Sequence, residues 1–354
     1  MDLTHINYSA LTDPTTPSQV RAFRAQVRAA QRADPKIGTS LMTATGVVSV
    51  VFIVIVTAIC GAVSIALIGQ LVEGGTAEIG SIVPLIFIVG FIALGILVVV
   101  RHFGSGGEWA KWMRLTQFAQ ANGLQFRTRS ANPSYPGMIF TMGDSRSTYN
   151  HINSTTGRYF DFGDYQYSTG SGRSRTTHFW GFLAIKLDRQ LPNMVLDSKE
   201  NNTIFGTDLP ISLKRDQVLS LEGDFDQHFT LYCPQEYQED ALYVFTPDLM
   251  ALLIDDAGTY DVEIVDDWMF LYSPHVLPPL SVATYEHLFN IVQTVGNKTV
   301  SQTANYHDDR VGSMSANIVA PQGQRLRHGT SIGAMVIFGG FAIFWLFSVF
   351  HGFN

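Results

Sequence analysis

The sequence predicts a membrane protein: three transmembrane α-helices plus a cytoplasmic α+β domain with a mainly antiparallel sheet. Three observations predict it. Charged residues avoid three long stretches and crowd the rest of the chain. Lys and Arg collect on one side of those stretches. The segment between the second and third stretch carries strand patterns joined by turns, with no βαβ alternation.

The stretches come first. No charged residue lies between Lys36 and Glu73, and the apolar heart of that run is Val47 to Leu71. None lies between Glu78 and Arg101, or from Gly329 to Phe350. A hydrocarbon core of ~30 Å needs roughly 20 helical residues, so each run is long enough to span once. Continuous apolar runs also exclude barrel strands, which alternate. Arg21, Arg24, Arg28, Arg32 and Lys36 precede the first run. The short loop after it carries only Glu73 and Glu78, while Arg101, Lys111 and Arg114 follow the second run. This places the N-terminus and the large domain on the cytoplasmic side of the membrane and the C-terminus outside.

The expected organisation is therefore a cytoplasmic segment at 1–40 and a transmembrane hairpin at 41–101, with spans at about 45–71 and 80–100. A cytoplasmic α+β domain at 102–328 follows, then a third transmembrane helix with a short external tail at 329–354. The spans hold no Asp, Glu, Lys, Arg or His. Pumps and channels place such residues in the membrane, so an independent transport function is disfavoured.

In the first segment, Thr16-Pro17 reads as a helix start and Ala33-Asp34-Pro35 as its end. Val20, Phe23, Val27 and Ala30 share one helical face, with the four arginines as the adjacent stripe. Such a helix lies in an anionic membrane surface, or packs its apolar stripe on its own domain. The predicted surface contacts are Arg21, Arg24, Arg28, Arg32, Trp109 and Trp112, the two tryptophans marking the inner interfacial belt.

The large domain carries 17 Lys/Arg against 25 Asp/Glu over 103–328, and the whole chain is −7. An acidic chain argues against nucleic acid as a partner. Cys60 falls in an apolar run and Cys233 in the polar domain, which suits small buried hydrophobes in a reducing compartment. Helices are expected at 108–121, ended by Asn122-Gly123, at 247–254 and at 281–295. Strands are expected at 124–129, 158–167, 177–187, 194–196, 227–232 and 241–245, with a hairpin over 260–272. Ser168 to Ser174 reads as a hairpin tip, Gly163 as a bulge, and 297–325 as loop.

Chemistry signatures are sparse. The ten histidines show no HExxH spacing, and GxSxG is absent. Asp255-Asp256, Asp266-Asp267 and His307-Asp308-Asp309 are acidic clusters. Asp266-Asp267 lies on a strand, where neighbours point to opposite faces and chelate poorly, and Asp255-Asp256 sits at a helix C-terminus, where solvated turn residues are the expected reading. No cofactor or metal is expected.

Phe225-Asp226-Gln227-His228-Phe229, Ala241-Leu242-Tyr243 and Thr246-Pro247-Asp248-Leu249-Met250 resemble a family of actinobacterial and other bacterial integral membrane proteins. In that family an FDxxF strand precedes an AxYxxTPxxM strand-to-helix turn in a cytoplasmic α+β domain. The family carries no assigned activity, so the resemblance implies a fold and no site residues. The function expected is a non-enzymatic, membrane-anchored accessory, scaffold or regulatory protein that meets a protein partner at the anionic inner leaflet of the lipid bilayer. The alternative is an enzyme or ligand sensor, for which Asp226, His228, Asp255 and Asp256 are the candidates. A transport component ranks third.

Overall fold

A computed structural model describes residues 5–33, 107–202, 209–312 and 317–329, besides a few single positions. The described chain forms two compact units, one from Met1–Leu11 and Phe118–Asn354, the other from Thr12–Gln117.

The expectation of a multi-pass membrane protein is corrected. Among the described residues no helix is long and apolar enough to cross a membrane. The longest have 17 and 15 residues and carry charges along their length, whereas a span needs roughly 20 apolar ones. The runs at about 45–71, 80–100 and 329–354 lie outside the described residues. What the structure shows is a mainly antiparallel sheet with a few helices.

The helices are α1 (Ser9–Thr12), α2 (Pro17–Ala33), α3 (Gly107–Ala121), α4 (Met138–Thr141), α5 (Phe225–His228), α6 (Gln238–Val244), α7 (Pro247–Ala257), α8 (Val282–Ile291), α9 (Asn297–Thr303) and α10 (Pro321–Gln324). The strands are β1 (Leu124–Ala131), β2 (Asp144–Ser154), β3 (Phe160–Thr169), β4 (Thr176–Ser198), β5 (Val218–Leu219), β6 (Phe229–Tyr232) and β7 (Asp261–Ser273). They pair in the order β1-β2-β3-β4-β6-β5, with β7 on β4.

The meander β1 to β4 carries a core on each face. On one, Tyr165, Tyr167, Trp180, Phe182, Phe270 and Tyr272 form a buried cluster with Phe140 of α4. On the other, Phe160 and Phe162 pack their rings against Phe289 of α8, which also meets Phe118 at the end of α3. Ser281 caps α8 by accepting from Thr284 N at 3.2 Å. Gly123, at φ +65°, supplies the left-handed residue that ends α3.

Several elements differ from the sequence expectation. Of the strand expected at 241–245, residues 241–244 fall in helix α6 and Phe245 is its C-cap, because the Glu239-Asp240 first turn suits a helix N-terminus better than a strand. The hairpin expected over 260–272 is one strand, β7. Asp266 takes φ +53° there as an irregularity and the strand runs on. Residues 194–196 belong to the 23-residue β4. Residues 297–303 are helical, continuing α8 through a π-turn at Val292–Gly296.

A bulge in β2 sets the geometry of the first three strands. Thr148 pairs with Tyr165 and Tyr149 with Asp164, but Ile152 pairs with Phe162, so Asn150 and His151 together oppose Gly163. Asn150 takes φ +48° to make the extra residue fit. A Cβ on Gly163 would lie 2.5 Å from His151 Cβ and 2.6 Å from its Cα. Glycine is thus required where the two strands close on the bulge.

Glu263 is a buried carboxyl group in the core. Its Oε2 accepts from Met138 N and Tyr272 Oη, each at 2.7 Å, and its Oε1 faces Asn193 Nδ2 at 3.3 Å. Burial raises its pKa despite these donors, so the fold favours the protonated acid.

Two predictions follow from this core. G163A should lose about 1–3 kcal/mol of stability, the usual range for overpacking. Urea denaturation checks it, and an unchanged midpoint would refute the close packing at the bulge. For Glu263 the folded-state pKa is the higher one. Its favourable contribution is therefore complete below the unfolded value of ~4.3 and declines as pH rises from there through the folded value. Relative to E263Q, the wild type should lose stability over that window with a slope of up to about 1.4 kcal/mol per pH unit. Denaturation across pH 4 to 8 measures it, and a pH-independent difference counts against burial as the dominant cause.

Candidate functional site

The arginines of α2 make its most distinctive surface. Thr16 and Gln19 start the helix reciprocally: Thr16 N donates to Gln19 Oε1 at 2.8 Å, and Gln19 N to Thr16 Oγ1 at 3.4 Å. Pro17 then takes the first helical position. Spacings of three, four and four put Arg21, Arg24, Arg28 and Arg32 on one face. All four are exposed. With Ala25 and Ala29 they line a groove of ≈ 370 Å³. No Asp or Glu lies between Asp13 and Asp34. Like charges one turn apart repel, so the row does not stabilise the helix itself.

The apolar stripe beside it is occupied. Phe23 meets the edge of Trp109 at 6.4 Å between ring centroids, and Val20, Phe23 and Val27 are half-buried. Arg24 lies over the Trp109 ring, 5.4 Å from its centroid. Trp112 stacks edge-on against Trp109 at 5.3 Å and is buried, 8 % exposed. Of the two tryptophans, Trp109 is the one that reaches the surface.

The other residues singled out by sequence do not converge. Asp226 closes a turn, accepting from Leu221 N at 3.1 Å and from Ser220 Oγ. His228 faces Glu200 at 3.6 Å. Asp256 accepts from Asn290 Nδ2 at 2.8 Å and Thr294 Oγ1 at 2.6 Å, tying α7 to α8 and the π-turn after it, while Asp255 is exposed. Asp266 pairs in two bonds with Arg325, and Asp267 pairs with Lys186. Among the described residues no three His, Cys, Asp or Glu side chains are placed to hold a metal ion.

Asp308 is a structural carboxylate. Burial pushes its pKa up, but Ala320 N, Tyr237 Oη and Arg310 all bond the charged form, and the net direction is down. Cys233 is wholly buried, which pushes its thiol up to about 11 with help from Asp240. A thiol so placed is a poor nucleophile.

Sequence reasoning missed one polar cluster. Ser130 Oγ lies 2.9 Å from His151 Nε2, and His151 Nδ1 lies 3.0 Å from Asp161 Oδ1. Tyr135 Oη donates to Asp161 Oδ2 at 2.6 Å. No motif links these residues, because Ser130, His151 and Asp161 come from three strands whose pairing brings them together, and Tyr135 comes from the segment between β1 and α4. The one local signal was Gly163, whose missing side chain makes room for His151.

No family model matches the chain, and no curated protein matches it. The crystal structure of the mycobacterial trehalose monomycolate transport factor A, TtfA, is a distant structural neighbour. It has 9 % sequence identity and a TM-score of 0.37, with 53 % of this chain and 93 % of that chain covered. At that distance no functional argument passes from it to this chain.

Proposed function

We propose that the chain is an accessory or scaffold protein that docks an acidic segment of a protein partner through the arginine face of α2. The observation that supports the reading is the row of four exposed guanidinium groups over a floor of Ala25 and Ala29, with no carboxylate on the helix. Guanidinium groups bind carboxylates through two parallel hydrogen bonds. The small alanine side chains let an extended chain approach closely between them. An aqueous partner is favoured over insertion into lipid, because Phe23 of the apolar stripe already packs on Trp109.

Magnitudes set the character of the complex. Exposed ion pairs contribute about 0.2–1 kcal/mol each. Four of them give at most about 4 kcal/mol, near millimolar affinity on their own. Docking here is transient and salt-sensitive unless further contacts or tethering raise the effective concentration.

A fluorescent peptide of ten glutamates, titrated with the full chain, tests this. The variant R21Q/R28Q/R32Q leaves Arg24 on Trp109. It should weaken binding roughly tenfold at low salt, and the matching lysine variant should weaken it less. Equal affinity for wild type and glutamine variant would remove the arginine face as the dock. Binding to anionic phospholipid vesicles with none to the peptide would overturn the protein-segment reading.

A further inference from the structure

We propose that Ser130, His151 and Asp161 form a nucleophilic serine site acting on small carboxylic esters. The inference is independent of the arginine face, since it uses other residues in the other unit. It rests on geometry. A nucleophile within hydrogen-bond reach of a base, itself oriented by a third group, is the arrangement that activates a serine. Here the two links measure 2.9 and 3.0 Å.

The tautomer is assigned from the two partners of the imidazole. As a carboxylate, Asp161 only accepts, so His151 Nδ1 carries the proton and donates. Nε2 is then the acceptor and Ser130 Oγ–H donates to it, which is the direction that general-base activation needs. Tyr135 fixes the carboxylate from its other side, and Tyr159 Oη lies 3.3 Å from Tyr135 Oη. Burial falls along the chain of groups in the right order. Asp161 is 2 % exposed and His151 4 %, while Ser130 is half-buried and reaches the surface of β1.

The β2 bulge assembles the cluster. In a regular strand Thr148 and His151 would point to opposite faces. The extra residue at Asn150 reverses the alternation, so His151 shares a face with Thr148, with Ser130 opposite Thr148 on β1 and with Asp161 on β3. Arg127 is opposite His151 in the β1–β2 ladder, and its exposed guanidinium bonds Gln125 Oε1 at 3.0 Å. An ester is the fitting class, because its alkoxide leaves with less help than an amine.

The step balances without any redox partner. Ser130 Oγ bonds to the ester carbonyl carbon and its proton passes to His151 Nε2. The ester C–O bond breaks, and the alkoxide takes that proton to leave as the alcohol. Water then gives a proton to Nε2 while its oxygen attacks the acyl carbon. Ser130 departs with the proton, and the carboxylic acid is released. Ser130 and His151 are the catalytic residues; Asp161 and Tyr135 position the imidazole.

A fluorophosphonate probe tests the site, since an activated serine displaces its fluoride and keeps the label. Full chain should be labelled on Ser130, located by peptide mass spectrometry, and should hydrolyse p-nitrophenyl acetate. S130A should abolish both signals. H151Q should slow labelling 100-fold or more, the usual contribution of a general base, with unchanged far-UV circular dichroism. D161N, which disturbs the tautomer, should slow it at least tenfold, a loss that a purely structural role for the cluster would not produce. Folded wild type that takes no label, label confined to other residues, or H151Q labelled at the wild-type rate would each overturn the proposal. If D161N fails to fold, S130A and H151Q still decide.

Discussion

The structure depends on β4. This 23-residue strand pairs with β3 through its first half and with β6 at its end, while β7 runs along it from Gly181 to Leu196. It is the only described strand with more than two partners. Both of its faces are covered, by the aromatic cluster around Phe182 on one and by the packing of Ile185 toward Gly296 on the other. Burial on both faces replaces the alternation of a half-solvated strand with a nearly continuous apolar run, as in Phe182 to Ile185 and Met194 to Leu196. Ladder register then propagates outward from β4 to β3, β2 and β1, and each step inherits its alignment.

The C-terminal described segment is held differently. Few large apolar side chains are available between 317 and 329, and buried polar groups do the fastening. Leu326 N donates to Asn193 Oδ1, Ala320 N to Asp308 Oδ2, and Gln217 exchanges two bonds with the Arg327 backbone. A buried polar group left without a partner costs about 1–3 kcal/mol, so each of these contacts specifies position more than it adds net stability. Glu263 belongs to the same logic. It organises Met138, Tyr272 and Asn193 around one carboxyl group, at the expense of burying an ionisable side chain.

What could be read from the sequence was what local chemistry decides. The start of α2 at Thr16-Pro17, the end of α3 at Gly123, and the β3–β4 hairpin around Gly170 and Gly172 each carry their own turn or cap residues. Strand β2 carries few of the usual signals. Asp144 to Ser154 is mostly polar, with Tyr149 and Ile152 as its large strand-favouring side chains, and pairing with its two neighbours makes it a strand. Helix α6 was misread because Tyr243, Val244 and Phe245 favour strands, a preference that tertiary context overrides. Asp266-Asp267 resembled a turn, yet the two bonds from Arg325 hold Asp266 in its left-handed conformation inside a continuing strand. The arginine row was legible from spacing alone. The burial of Trp112 was not, because it depends on folding.

The serine cluster shows why a site of this kind escapes a linear reading. Its three side chains come from positions 130, 151 and 161, and regular alternation would not put them on one face. The fold brings them together through a device that looks like a defect: one extra residue in β2, a left-handed asparagine, and a glycine opposite. Each of the three runs against strand propensity when taken alone. Natural sequences break local rules where geometry matters more than stability, and bulges re-aim side chains at such places. The combined burden of Asn150 and Gly163 is offset by the ladder on both sides, which is regular from Leu124 to Arg127 and from Phe160 to Thr169. The rigid sheet thereby holds the Ser130–His151–Asp161 line in place, where a loop would leave its two hydrogen bonds free to wander.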